Sequence, residues 1–243
     1  MHKLAALIIA ANLLLSVPSW SQKKLTLSAF TGSGISFFGG PGAASKSAYH
    51  LSSSTFGPDG IIPDTVEHPY GKKPFTNFQA GLQADLTLSS KWTFILSSQY
   101  EHSGGTLTAD TVVSSSGSIK TDGKYNRYYD FISVNPQVGR IMFQKGVTLT
   151  LHTGIDYTSK LALGDNIDYT DQNGQKYSIG TSGGEPEKND LRISFGASVA
   201  RKKWSVDINY KHGLVNYWKD GPEKVYSRLL HIRLQYALLS KKT

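Results

Sequence analysis

Most of the residues able to do chemistry in this chain recur at alternate positions, and their types suggest two quite different uses. Asp85, Glu101, Asp156 and Asp207 are carboxylates, Arg192, Lys211 and Arg233 are cations, and His152 and His231 can carry a proton. Gathered on one axis, such groups could form a proton or ion path, or they could pair into a plug. In a lumen one side chain wide an unpaired charge is expensive, so a salt-bridged structural plug is the reading taken. Glu101-His102-Ser103 offers the orienter, base and nucleophile types of a lipid acyl hydrolase or transferase. Adjacent residues of a strand point to opposite faces, however, so His102 and Ser103 do not readily meet, and no catalytic residue is assigned. Asp165, Asp168 and Asp171 hint at calcium, but their three-residue spacing misses the alternate-residue ligands of an EF-hand and reads as a solvated acidic loop. With no phosphate loop, metal quartet or nucleophile elbow in the sequence, the expectation is a non-enzymatic chain that uses no cofactor and no metal.

The elements that must position these groups are strands. "FQAGLQADLTLSSKWTFILSSQY", residues 78–100, alternates apolar and polar residues through a turn and out again. Eight segments do this, at about 24–37, 76–89, 91–103, 128–143, 146–160, 189–200, 203–217 and 227–239, and no amphipathic helix of three turns follows residue 22. Ser89-Ser90-Lys91, Gln144-Lys145-Gly146 and Arg201-Lys202-Lys203 are connections of tight-turn length, whereas the other four are long. The first long one, 38–75, is rich in Gly, Ser and Pro and reads as an exposed loop. Asn173-Gly174 marks a hairpin that carries the fifth and sixth strands beyond the main sheet, and "VVSSSGSIK" suggests the same for the third and fourth. Short turns alternating with long loops describe an up-and-down meander with both termini at the short-turn end. The expected fold is all-β, an eight-stranded antiparallel up-and-down transmembrane β-barrel.

A barrel of this kind can be apolar inside or outside, and the residue types choose. The polar row, including Gln79, Gln83, Ser133, Asn135, Gln137, Ser194 and Asn209, is small and amide-rich, as a narrow lumen requires. The other row carries Leu149, Leu151, Ile155, Phe195, Val206, Ile208, Ile232 and Leu234. Aromatics flank it: Trp92, Phe143 and Trp204 by the short turns, and Tyr100, Tyr157, Tyr210, Tyr217 and Trp218 by the long loops. An apolar band between aromatic girdles is what a lipid-facing exterior needs, and a closed barrel crosses hydrocarbon without unpaired backbone groups. Lys23, Lys24, Lys91, Lys145, Arg201, Lys202, Lys203, Lys241 and Lys242 lie at the short-turn end, placed to engage phospholipid head groups of an inner leaflet.

The N-terminus agrees with export. Lys3, an apolar stretch from Leu4 to Val17 and Ser19-Trp20-Ser21 have the form of a signal peptide spanning 1–21, leaving a barrel domain over 22–243. That stretch, about 14 residues, is short of the ~20 that a spanning helix needs. The chain carries 26 Lys and Arg against 18 acids, a net charge of +8, and no cysteine. Without a cysteine neither a lipoprotein anchor nor a disulfide framework is open to it. The basic balance includes no long Lys/Arg block, so nucleic acid is not an expected partner.

"KKWSVDINYKHGLVNYW" and "YSRLLHIRLQYALL" sharpen the reading. With Tyr210 followed by Gly213-Leu214-Val215-Asn216, this wording resembles the PorT-like outer-membrane β-barrel domain family of Bacteroidota. The resemblance implies a bacterial outer-membrane location and insertion by the barrel-assembly machinery, and the basic short-turn end that holds both termini then reads as periplasmic. It implies no settled activity. Two departures stand out: the last strand ends in Leu238-Leu239 rather than an aromatic, and Pro136 interrupts the fourth strand, where a bulge near the rim is expected. The function expected is structural or interactive, in assembly or secretion, with outer-membrane lipids as partners and other envelope proteins contacted through the loops. A lipid-modifying enzyme and a small-solute channel are the alternatives.

Overall fold

The computed structural model describes residues 24–50, 65–89, 91–114, 117–170, 173–182, 189–219, 221 and 223–241. The expected signal peptide and Asp171 lie outside them. Alternating sequence becomes strand throughout: β1 (Lys24–Gly39), β2 (Lys46–His50), β3 (Thr65–Val66), β4 (Phe75–Thr87), β5 (Trp92–Ser114), β6 (Gly117–Gln144), β7 (Thr148–Thr170), β8 (Lys176–Ser182), β9 (Asp190–Arg201), β10 (Trp204–Gly213) and β11 (Tyr226–Lys241). Antiparallel ladders join β1 to β4, β4 to β5, β5 to β6, β6 to β7, β7 to β9, β9 to β10, β10 to β11 and β11 back to β1. The result is a closed ring of eight strands, each corresponding to one of the eight alternating segments.

The tight turns use unusual backbone where their length demands it. Arg201 pairs with Trp204, so Lys202 and Lys203 alone make that connection, and Lys202 adopts φ 55°. At the opposite end β5, β6 and β7 continue well past the ring as one wall, paired out to Ser114↔Gly117, and β8 adds to it through a hairpin whose Gly174 has φ 80°.

Two expectations need correction here. Residues 38–75 are not simply an exposed loop: β2 lies parallel to β5 and pairs with β3, and Ala43, Tyr49 and Tyr70 are buried. Apolar side chains spaced among Gly and Ser, with no clean period, are what drive this segment onto the barrel mouth. Pro136 needs no bulge. It stays in register opposite Leu96, and the ladder to β7 lapses between Val134↔Tyr157 and Gln137↔Gly154. Gly154 permits this, because a Cβ there would lie 2.2 Å from the Pro136 carbonyl oxygen. The register shifts of that ladder fall elsewhere, at Asp130/Phe131 and Ile141/Phe143.

The side chains are distributed inside out relative to a water-soluble barrel. Arg192, Glu101, Lys211, Gln79 and His231 are at most 1% exposed, whereas Ile232 is 57%, Ile155 54%, Phe195 53% and Ile208 50% exposed. Among the described residues, apolar cores occur near and above the mouth. Phe38, Ala43, Tyr70, Tyr129, Phe131, Tyr217 and Val225 form one, and Tyr49, Leu107, Ala109, Val112, Tyr125 and Ile167 form another under the wall.

Candidate functional site

The lumen charges sit at matching heights, some on adjacent strands and some across the bore, and register brings them together. Glu101 on β5 reaches across the barrel: its Oε1 lies 2.6 Å from Arg192 Nη1 on β9, and its Oε2 lies 3.1 Å from Lys211 Nζ on β10. Lys211 also reaches Asp156 Oδ2 on β7 at 2.9 Å, and Arg192 Nη1 is 3.6 Å from the same oxygen. His231 Nε2 is 3.8 Å from Glu101 Oε2. Gln99 and Ser103 donate further hydrogen bonds to the Glu101 carboxylate, at 3.2 and 3.1 Å.

A second knot lies nearer the short turns. Asp207 Oδ1 accepts from Arg233 Nε at 2.8 Å and Nη2 at 2.7 Å, while its Oδ2 lies 2.6 Å from His152 Nε2. Arg233 covers the Phe30 ring at 4.9 Å, and Arg192 covers Phe131 at 4.7 Å. Both guanidiniums are therefore held by carboxylate on one side and by an aromatic face on the other. Asp85 departs from the expected pairing with a cation: its carboxylate accepts from Gln83 Nε2 at 2.9 Å, and no ion pair reaches it among the described residues. It lines a cavity of about 400 Å³ that opens between the short turns, with Lys24, Lys202 and Lys203 among its lining and Asp207 and Arg233 at its depth.

Sequence reasoning missed Asp190, which anchors the upper end. Its Oδ2 accepts from Arg192 Nε, the Tyr217 hydroxyl and Ser227 Oγ, each at 2.8 Å. Its place as the first residue of β9, alternate with Arg192, was the available signal. Tyr217 and Trp218 are corrected by this arrangement. They are not lipid-interface aromatics, because β10 stops at Gly213 and Asn216 turns the chain inward, its Oδ1 accepting from the Trp218 and Val225 amides at 3.2 and 2.8 Å. Tyr217 then packs edge-on against Phe38 and Tyr129 over the lumen, and Lys160 Nζ sits 4.1 Å from its ring centre. The void left beneath this cap is about 10 Å³.

Trp92, Tyr100, Phe143, Tyr157 and Trp204 do stand on the exterior, each between 40% and 53% exposed, and Tyr210 is half-buried there with its hydroxyl 3.3 Å from His212 Nδ1. Tyr236 was overlooked: its ring packs 4.8 Å from Trp204, two residues before Leu238.

No protein-family model matches the chain, and none of the curated proteins does. Among solved structures it is similar over 88% of its length to 99% of Ail, the attachment invasion locus protein of Yersinia pestis, at 12% identity and a TM-score of 0.32. Over the same share it is similar to 96% of neisserial surface protein A, at 11% identity and a TM-score of 0.30. Likeness at this level carries no argument. The barrel rests on its own closed ladder.

On the outer surface His102 Nδ1 lies 2.8 Å from Asp130 Oδ1, and the Tyr100 hydroxyl donates to the same oxygen at 2.6 Å. Ser103 faces the lumen, bonded to Glu101, so the Glu101-His102-Ser103 trio is split between two faces. In the wall, burial pushes the Tyr125 phenol above its ordinary range, and it remains a neutral donor beside the Arg127–Asp165 pair, whose closest atoms are 2.7 Å apart.

Proposed function

We propose that this chain is an outer-membrane β-barrel whose lumen is plugged and whose work is done by the wall and loops beyond its rim, as a structural or interaction protein of the cell envelope. One observation carries the reading: a closed ring keeps its ions and amides inside and holds leucine, isoleucine and phenylalanine outward at half exposure. Only a hydrocarbon solvent makes that arrangement favourable on both faces. The resemblance to the PorT-like family of Bacteroidota supports the same location and insertion by the barrel-assembly machinery, and the lysines at the short-turn end support periplasmic termini. Outer-membrane lipids would be its solvent partners, and envelope proteins would meet it through the loops.

Extraction tests the reading. The mature chain should partition with membranes, need detergent for monodispersity and migrate differently before and after boiling. A chain that stays monodisperse in detergent-free buffer overturns it. Orientation has a separate test, made clean by the lack of native cysteine. A membrane-impermeant maleimide on intact cells should label Asn173→Cys and spare Ser89→Cys; the reverse labelling overturns periplasmic termini.

The alternatives rank lower on specific geometry. A solute channel would have to pass both the Glu101–Arg192–Lys211 cluster and the aromatic cap. An acyl-chain enzyme could use the outward His102–Asp130 pair as its base and orienter, but the hydroxyl bonded to that pair is Tyr100, not a serine.

A further inference from the structure

The outward face shared by β5, β6 and β7 changes chemistry at a definite height. Low on the barrel it presents Leu96, Val134 and Ile155, all more than 40% exposed. One level up comes an aromatic and acidic belt: Tyr100 and His102 converge on Asp130, and the His102 ring lies 4.9 Å from Tyr128 and 5.5 Å from Phe75. Above that the same strands turn amide- and hydroxyl-bearing. Thr106, Asn126 and Asn166 are cross-strand partners in one rung, and Thr108, Lys124 and Asp168 in the next.

This rung is an odd choice for a merely wet strand surface. Asparagine is disfavoured within strands, yet two stand side by side. Thr106 Oγ1 donates to Asn126 Oδ1 at 2.8 Å, and Asn166 Nδ2 donates to Asp168 Oδ2 at 3.4 Å, which fixes both amides. Among the described residues no bond uses the Asn126 Nδ2 donors or the Asn166 Oδ1 acceptor. Fixed donors and acceptors set directly above flat rings form the complement of a sugar, whose faces stack on aromatics and whose hydroxyls both give and accept.

We propose that this face, from the Tyr100, His102 and Tyr128 belt up to the Asn126–Asn166 rung, docks the sugar head groups of glycolipids in the outer leaflet. The proposal rests on the membrane reading above, and continuity supplies the occupant. A lipid whose acyl chains lie along Leu96, Val134 and Ile155 would place its head group against these rungs, because β5, β6 and β7 all continue upward past the belt, β7 with one register shift at Asp130/Phe131.

The test compares the full mature chain in nanodiscs containing lipopolysaccharide with the chain in phospholipid nanodiscs, reading the thermal midpoint and the sugar retained after detergent exchange. The wild type should melt higher with lipopolysaccharide and retain it. An Asn126→Ala/Asn166→Ala variant should retain it about fivefold less or worse, the loss expected for one or two hydrogen bonds, and Lys241→Ala at the far end should match the wild type. Boiling-dependent migration checks that each variant is folded, and the wild-type comparison between the two discs needs no variant. Equal retention by wild type and double variant, or equal melting in the two discs by an inserted barrel, overturns the docking proposal alone. A chain that enters neither disc overturns the membrane reading beneath it.

Discussion

Glu101 touches Arg192, Lys211, Gln99 and Ser103 from a fully buried position, so its removal empties the centre of the network and leaves Arg192 to Asp190 and Lys211 to Asp156. Taking one partner from such a group costs about 3–5 kcal/mol, whereas replacing a whole set by apolar groups can be nearly neutral. Glu101→Ala should therefore lower the urea midpoint in detergent sharply. Replacing Arg233 by Met and Asp207 by Asn together should cost less than Asp207→Asn alone, as a double-mutant cycle would show. Most of these carboxylates and cations were legible from alternation, because period two fixes the face and the face fixes the company. Partner choice was not, since it depends on how far each strand is sheared past the next. Asp85 shows the limit: it lies on the expected face, but its nearest neighbour is an amide.

At the scale of the strand, close approach sets the tolerance to change. Gly154→Val would drive a branched side chain into the Pro136 carbonyl and should abolish the boiling-sensitive folded band. Gly180→Ala meets nothing nearer than 3.8 Å and should leave that band intact. Lys202→Gly removes a side chain from a left-handed residue and should stabilise the turn by about 0.5–1 kcal/mol, read from the unfolding midpoint. The ring strands were readable in advance because each half-buried ribbon must alternate. β2 was not, because five residues among Gly and Ser carry too little period to distinguish a short parallel strand from a loop. Likewise Gly213-Leu214-Val215-Asn216 read as strand, and only the bonds made by Asn216 show the chain leaving the sheet and carrying Tyr217 inward.

For the molecule as a whole, closure is one-sided. The half of the bore beside the short turns holds the roughly 400 Å³ cavity, while the other half is filled by ions and then by rings. Planar bilayers containing the wild type should show no single-channel steps. A variant with Arg192, Lys211 and Tyr217 all changed to alanine should show them if it still inserts, because ions and rings, and not the backbone ring, obstruct the path. Among the described residues the wall of β5 to β8 rises on one side of the ring, so on the proposed reading contacts with envelope neighbours would be directional. The blind bore carries a further consequence for the cell. An envelope crowded with this barrel would be no leakier to polar antibiotics, and abundance would be limited by surface area rather than by permeability.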